Sequence, residues 1–134
     1  MVIREKWRSE IGDRTRANEE MTVEQFREMA LSFPEAVEAA HMGHPDFRVG
    51  GRIFATLGYQ NEGRGVLLLS REEQQEMISQ HPKMFEPVPG GWGRRGSTQV
   101  LLKQITRPVL RAAMRKAWQM KAPKRLSKSR PLAK

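Results

Sequence analysis

The sequence predicts an α+β domain built on an antiparallel sheet, and three observations carry that expectation. A helical apolar period follows a capping signature at Thr22, the period changes to two from Phe47 to Leu57, and an amphipathic helical stretch returns after Arg107. A chain of 134 residues that is 38% hydrophobic and 29% charged has the size and composition for one core, with some segment left solvated.

The elements follow in order. Residues 1–21 form a charged lead-in in which Ile3, Trp7 and Ile11 hint at a short helix. Thr22-Val-Glu-Gln25 reads as a capping box, since the Thr hydroxyl and the Gln side chain can each satisfy a free backbone N–H of the other. Val23, Phe26, Met29, Ala30 and Phe33 then share one face, so a helix is expected from Val23 to Phe33, stopped by Pro34. Phe47 to Val49 and Arg52 to Tyr59 alternate as strands around Gly50-Gly51, whose tolerance of positive φ suits a tight hairpin. A turn at Gln60-Asn-Glu-Gly63 leads to a central strand, Val66 to Leu69. Ser70-Arg-Glu-Glu73 caps a second helix ending at Gln80, before His81-Pro82. Met84 to Val88 and the alternating stretch from Thr98 to Lys103 are expected to form a long basic hairpin around the flexible loop Pro89 to Gly96. Thr106 can cap a last helix, Arg107 to Met120, with Pro108 tolerated in its first turn.

Charge is segregated along the chain. Residues 1–86 hold all 15 acidic residues and 11 of the 24 Lys and Arg, whereas residues 87–134 hold 13 Lys and Arg and no acid. A one-signed block of this kind repels itself and attracts polyanions, nucleic acid foremost. Cysteine is absent, which removes disulfides, thiolate nucleophiles and Cys-containing zinc sites. No apolar run approaches the roughly 18 residues of a membrane span, and the charged first ten residues lack a signal-peptide core, so a cytoplasmic protein without membrane association is expected.

In the last helix Val109, Leu110, Ala113, Met114, Ala117 and Met120 form an apolar arc that should face the sheet. Arg107, Arg111 and Arg115 line up at spacings of four beside it, with Trp118 between the two surfaces and available to stack. A row of guanidinium groups with no acid nearby gains nothing from helical salt bridges and can grip a phosphate backbone. Arg94 and Arg95 in the glycine-rich loop can reach phosphates or a groove as a wing, with Trp92 available to stack. Lys103, Lys121, Lys124 and Arg125 complete the expected nucleic-acid-binding set. Gly91-Trp-Gly-Arg-Arg-Gly96 matches G-x-G-x-x-G literally, but a strand follows it and no acid lies downstream, so no nucleotide cofactor is expected. His41, His44 and Asp46 are close in sequence on a Gly and Pro turn without a firm third ligand, so no metal is assigned. No nucleophile motif is present and no catalytic residue is assigned.

Thr22-Val-Glu-Gln-Phe-Arg, Leu31-Ser-Phe-Pro-Glu35, Asp46-Phe-Arg-Val-Gly-Gly-Arg-Ile-Phe-Ala55, Val66-Leu-Leu-Leu and Val100-Leu-Leu together resemble the MmcQ/YjbR-like family of small bacterial proteins over roughly residues 22 to 125. Arg52 stands where that family usually has Lys, and Ala117-Trp118 where a Ser-Tyr pair is common. The resemblance implies a frataxin-like, double-wing arrangement with helices packed on one face of the sheet and a DNA-binding role. It also implies a start near Met21, leaving the first 20 residues as an extension.

Three segments are therefore expected: a charged extension at 1–21, an α+β domain at 22–122 and a disordered basic tail at 123–134. The functional expectation is a noncatalytic nucleic-acid-binding domain with duplex DNA as its target. A protein-interaction or regulatory module is the alternative, and a small-ligand binder or enzyme stands behind it.

Overall fold

The computed structural model describes residues 21–57 and 63–129. The lead-in at Ile3, Trp7 and Ile11, the strand end at Tyr59, the turn at residues 60–62 and the tail beyond Ser129 lie outside the described residues.

Helix α1, Val23–Leu31, starts as its capping box dictates: Gln25 N–H donates to the Thr22 hydroxyl at 3.0 Å, and Thr22 N–H donates to Gln25 Oε1 at 2.9 Å. It ends two residues before the expected Phe33, because the residue preceding Pro34 is pushed out of the helical region. Strands β1, Val37–His41, and β2, His44–Val49, form a hairpin over Met42-Gly43, and β3, Arg52–Thr56, returns from β2 across Gly50-Gly51. Both turn pairs have positive φ at their central residues, the geometry whose twist matches paired strands. Strand β4, Arg64–Leu68, and helix α2, Arg71–Gln80, follow. The Ser70 and Glu73 capping box of α2 forms as expected. Strand β5, Phe85–Pro87, a single helical turn α3, Gly91–Arg94, and β6, Ser97–Leu101, make the second hairpin. Helix α4, Arg107–Lys121, and a short α5, Lys124–Ser129, complete the described chain.

The strands form one six-stranded antiparallel sheet in the order β1-β2-β3-β4-β6-β5. Register assigns its two faces. Phe47, Ala55 and Leu67 lie side by side on the core face, as do Gly65, Val100 and Phe85. Asp46, Thr56, Val66, Gln99 and Glu86 run across the opposite, open face. Between Phe47 and Arg48 the register shifts, leaving Phe54 without a paired residue. This bulge turns both Phe54 and Ala55 into the core while Ile53 and Thr56 reach the open face.

Helices α1 and α4 cover the core face. Phe26 packs over Gly65 and tilts against Phe47, and α4 lays Leu110, Ala113, Met114, Ala117 and Trp118 against β3 and β4. Trp118 closes the join between these helices. It stacks on Phe33 at 6.0 Å, and its indole N–H donates to the Pro34 carbonyl at 3.1 Å. Among the described residues no helix is long and apolar enough to cross a membrane.

One strand was not foreseen, and two expectations need correction. Strand β1 is an edge strand with a mostly exposed face, so it lacks the alternation that marks a half-buried strand. The loop from Pro89 to Gly96 is not simply flexible but contains α3, fixed from beneath by buried Gln74, whose side-chain amide donates to the Gly93 and Ser97 carbonyls at 2.9 and 3.0 Å. A Cβ at residue 93 would sit 1.7 Å from the Val88 carbonyl oxygen, so glycine alone permits that approach. Residues 124–129, expected to be disordered, are helical, because Arg125 is tied to Glu35 and Leu126 packs against the core.

Candidate nucleic-acid interface

Apolar periodicity buries one side of α4 and leaves Arg107, Arg111 and Arg115 exposed on the other, with Lys103 exposed in the turn that leads into it. Among the described residues none of these four cations has an acidic partner within ion-pair distance. The N-terminal end of α4 sharpens the contrast with the other long helices. Helix α2 carries Glu72 and Glu73 in its first turn beneath a Ser70 cap. Helix α4 has no acid in its first turn, has Arg107 as its first residue, and receives no side-chain cap bond from Thr106. Positive side chains at the positive end of a helix dipole cost stability, and an anion at that end recovers it.

The other expected contacts do not join this row. Trp92 is 64% exposed and lines a groove on the open face of the sheet, opposite the face that α4 covers. The Arg95 guanidinium lies over the Trp92 ring at 5.7 Å, whereas Arg94 lines a separate recess with Arg71 and Gln75 of α2. Arg125 is neutralised: Nη1 and Nη2 donate to the two Glu35 carboxylate oxygens at 3.0 and 2.7 Å. These bonds hold the Glu35 carboxyl below the usual carboxylate range. Burial, and secondarily the Arg52 charge, hold the Lys121 ammonium below the ordinary lysine range. Lys124 is exposed at the start of α5. Trp118, expected to be available for stacking, has 1% of its surface exposed and serves the core instead.

A polar constellation that periodicity did not resolve sits on the open face. Asp46 is fully buried, and its carboxylate accepts from Arg48 Nε at 2.8 Å and Nη2 at 3.0 Å, while His41 Nδ1 lies 3.0 Å away. Arg48, helped by His41, holds the Asp46 carboxyl below the ordinary range against the burial that would raise it. The spacing of Asp46 and Arg48, two apart on one strand, is the signal for such a pair; the hairpin register that brings His41 alongside needs the fold. His81 packs against Phe85, and among the described residues no three His, Asp or Glu side chains group at metal-binding distance. Farther along this face Arg64 Nη1 donates to Glu86 and Gln99 at 3.1 and 2.8 Å. The glycine motif at 91–96 joins two strands, which is not the strand-to-long-helix context of a dinucleotide site.

Comparison with known proteins places this geometry in context. The model of the YjbR family matches residues 31–120. The crystal structure of Deinococcus radiodurans protein DR2400, a DUF419 domain, is similar with a TM-score of 0.62 and 19% sequence identity, covering 75% of this chain and 78% of that one. At that identity the likeness concerns the fold. A search of the curated proteins finds no match.

Proposed function

The chain belongs to the YjbR family, and from that premise we propose that it is a nucleic-acid-binding domain that grips duplex DNA through the exposed face of α4. The observation that carries the reading is the row of Arg107, Arg111 and Arg115, approached by Lys103, with no acidic partner among the described residues. Eight residues of helix rise about 12 Å, a length that spans three to four phosphates of one strand at ~3.4 Å of axis per charge. Guanidinium groups suit this task because each can take a phosphate through two parallel hydrogen bonds. Four such contacts would give a log-log dependence of affinity on salt of about −3.6. Contacts of this type position a protein on the duplex and carry no base information, so the proposed binding is sequence-tolerant.

Titration of a fluorescent duplex at several salt concentrations tests the proposal. Binding should weaken with added salt near the stated slope, and Arg107→Ala, Arg111→Ala and Arg115→Ala should each reduce the slope by about 0.9. Absence of binding at about 50 mM salt would overturn the assignment, as would a slope untouched by all three substitutions.

A further inference from the structure

A groove of about 380 Å³ crosses the open face of the sheet, away from α4. That volume is at the low end of the range for small-molecule sites, about 300–1,000 Å³. Ile53, Val66 and Leu68 form an apolar floor, and Trp92 stands beside it with its ring orientation supported by Arg95. His41 and Ser97 contribute polar edges. His44 lines it as well, and among the described residues no Lys, Arg, Asp or Glu side chain does.

The His41 ring is oriented by its contact with Asp46. Asp46 is bonded twice by Arg48, so its charge is compensated where it is buried, and its remaining reach is to His41 Nδ1. An ionised carboxylate can only accept, so the proton in that contact belongs to Nδ1, and Nε2 is the ring nitrogen left for another molecule. An exposed aromatic platform, an apolar floor, hydrogen-bonding edges and a lining without Lys, Arg, Asp or Glu among the described residues suit a flat, neutral, polar-edged ring.

We propose that this groove binds an uncharged planar heteroaromatic ring of nucleoside size or smaller, stacked on Trp92 and hydrogen-bonded at its edge by His41 Nε2. The site lies on the other face of the sheet from the arginine row and does not depend on it. Its ligand chemistry has two sources, a free nucleoside or an unstacked base of a single strand, and stacking accepts either.

The test is titration of the isotope-labelled full chain, followed through the Trp92 indole and His41 ring signals, with adenosine, cytidine, a short oligodeoxycytidine strand, benzoate and ribose. Adenosine or cytidine should move both signals with a Kd of about 1 mM or tighter, the range open to ligands of that size. Trp92→Ala should weaken binding about tenfold or more without lowering the thermal midpoint, since the ring is mostly exposed. Leu68→Trp, which fills the floor, should weaken binding likewise. A response to the strand alone assigns the site to a base within a nucleic acid, and a response to nucleosides alone assigns it to a free ligand; either supports the inference. Silence from nucleosides and strand together would overturn it. So would binding undiminished in both groove variants, tighter binding of benzoate than of the nucleosides, or an equal response to ribose.

Discussion

Replacing Arg111 by Glu separates binding from stability. Arg111 lies four residues from both Arg107 and Arg115, all three exposed along α4. Like charges at this spacing destabilise a helix by ~0.2–0.5 kcal/mol per pair, and opposite charges stabilise it by as much. The substitution converts two repulsions into two attractions, a change of ~0.8–2 kcal/mol at the limits and about 1 kcal/mol once the poorer order of Arg before Glu is allowed for. A gain of that size raises the thermal midpoint of a domain this large by about 4 °C. The same substitution removes one phosphate contact and adds a charge that repels DNA, so the salt slope should fall by about 0.9 or more. Calorimetry and fluorescence titration on one preparation read both effects. A lower midpoint would refute the claim that the row is held against its own repulsion, and an unchanged slope would remove α4 from the interface.

Other expectations can be measured as directly. Trp118→Phe removes the indole donor to the Pro34 carbonyl, a cost of about 0.5–1.5 kcal/mol by denaturant titration; an unchanged midpoint would contradict the role given to that bond. Gly93→Ala must displace α3 from Val88 and should destabilise by about 1–3 kcal/mol while loosening Trp92, so an unaltered indole signal and midpoint would count against the packing of this loop. Because the folded-state pKa of Asp46 lies below the ordinary 3.8, its ionised form stabilises the fold above that value, and the contribution disappears as pH falls through the lowered one. The midpoint of the native chain should therefore drop on acidification below about 4, and Asp46→Asn should flatten that limb of the profile; parallel profiles would show that the carboxylate contributes nothing to acid sensitivity.

Much of the fold was legible because period and capping agree with burial. Both capping boxes form, and the hairpin across Gly50-Gly51 closes where two glycines allow it. The helix expected from Arg107 to Met120 runs one residue farther, to Lys121. What escaped depended on contacts remote in sequence. Helix α5 has the composition of a solvated tail and is ordered by Glu35, ninety residues earlier. The single turn α3 follows from Gln74 beneath the loop, a buried glutamine that reads from sequence as a polar position of a surface helix. Trp118 lies at the edge of the apolar arc, where angle alone cannot decide between core and surface; its neighbour Phe33 decides. For the candidate interface, the helical row was readable from spacing, whereas its separation from Trp92 and Arg95 depends on which face of the sheet each element meets.

The division of charge along the chain survives folding only in part, and the way it fails isolates α4. Several acids of the first half are taken by cations of the same half: Glu24 and Glu38 by Arg27, Asp46 by Arg48, and Glu86 by Arg64. The Glu24 and Asp46 pairs are local, Glu38 joins β1 to α1, and Glu86 of β5 reaches Arg64 of β4 across β6, so all four form with the fold of the first half itself. Only Arg125 crosses from the basic half to an acid of the first half within ion-pair distance among the described residues. Helix α4 meets the core face of β3 and β4 through Leu110, Ala113, Met114, Ala117 and Trp118, and among the described residues no carboxylate lies within ion-pair distance of its three arginines. The row of arginines is thus a consequence of topology as much as of composition. A segment with the same residues placed beside α2, with Glu72, Glu73 and Glu76 at hand, would have been neutralised internally and would offer a polyanion far less to hold.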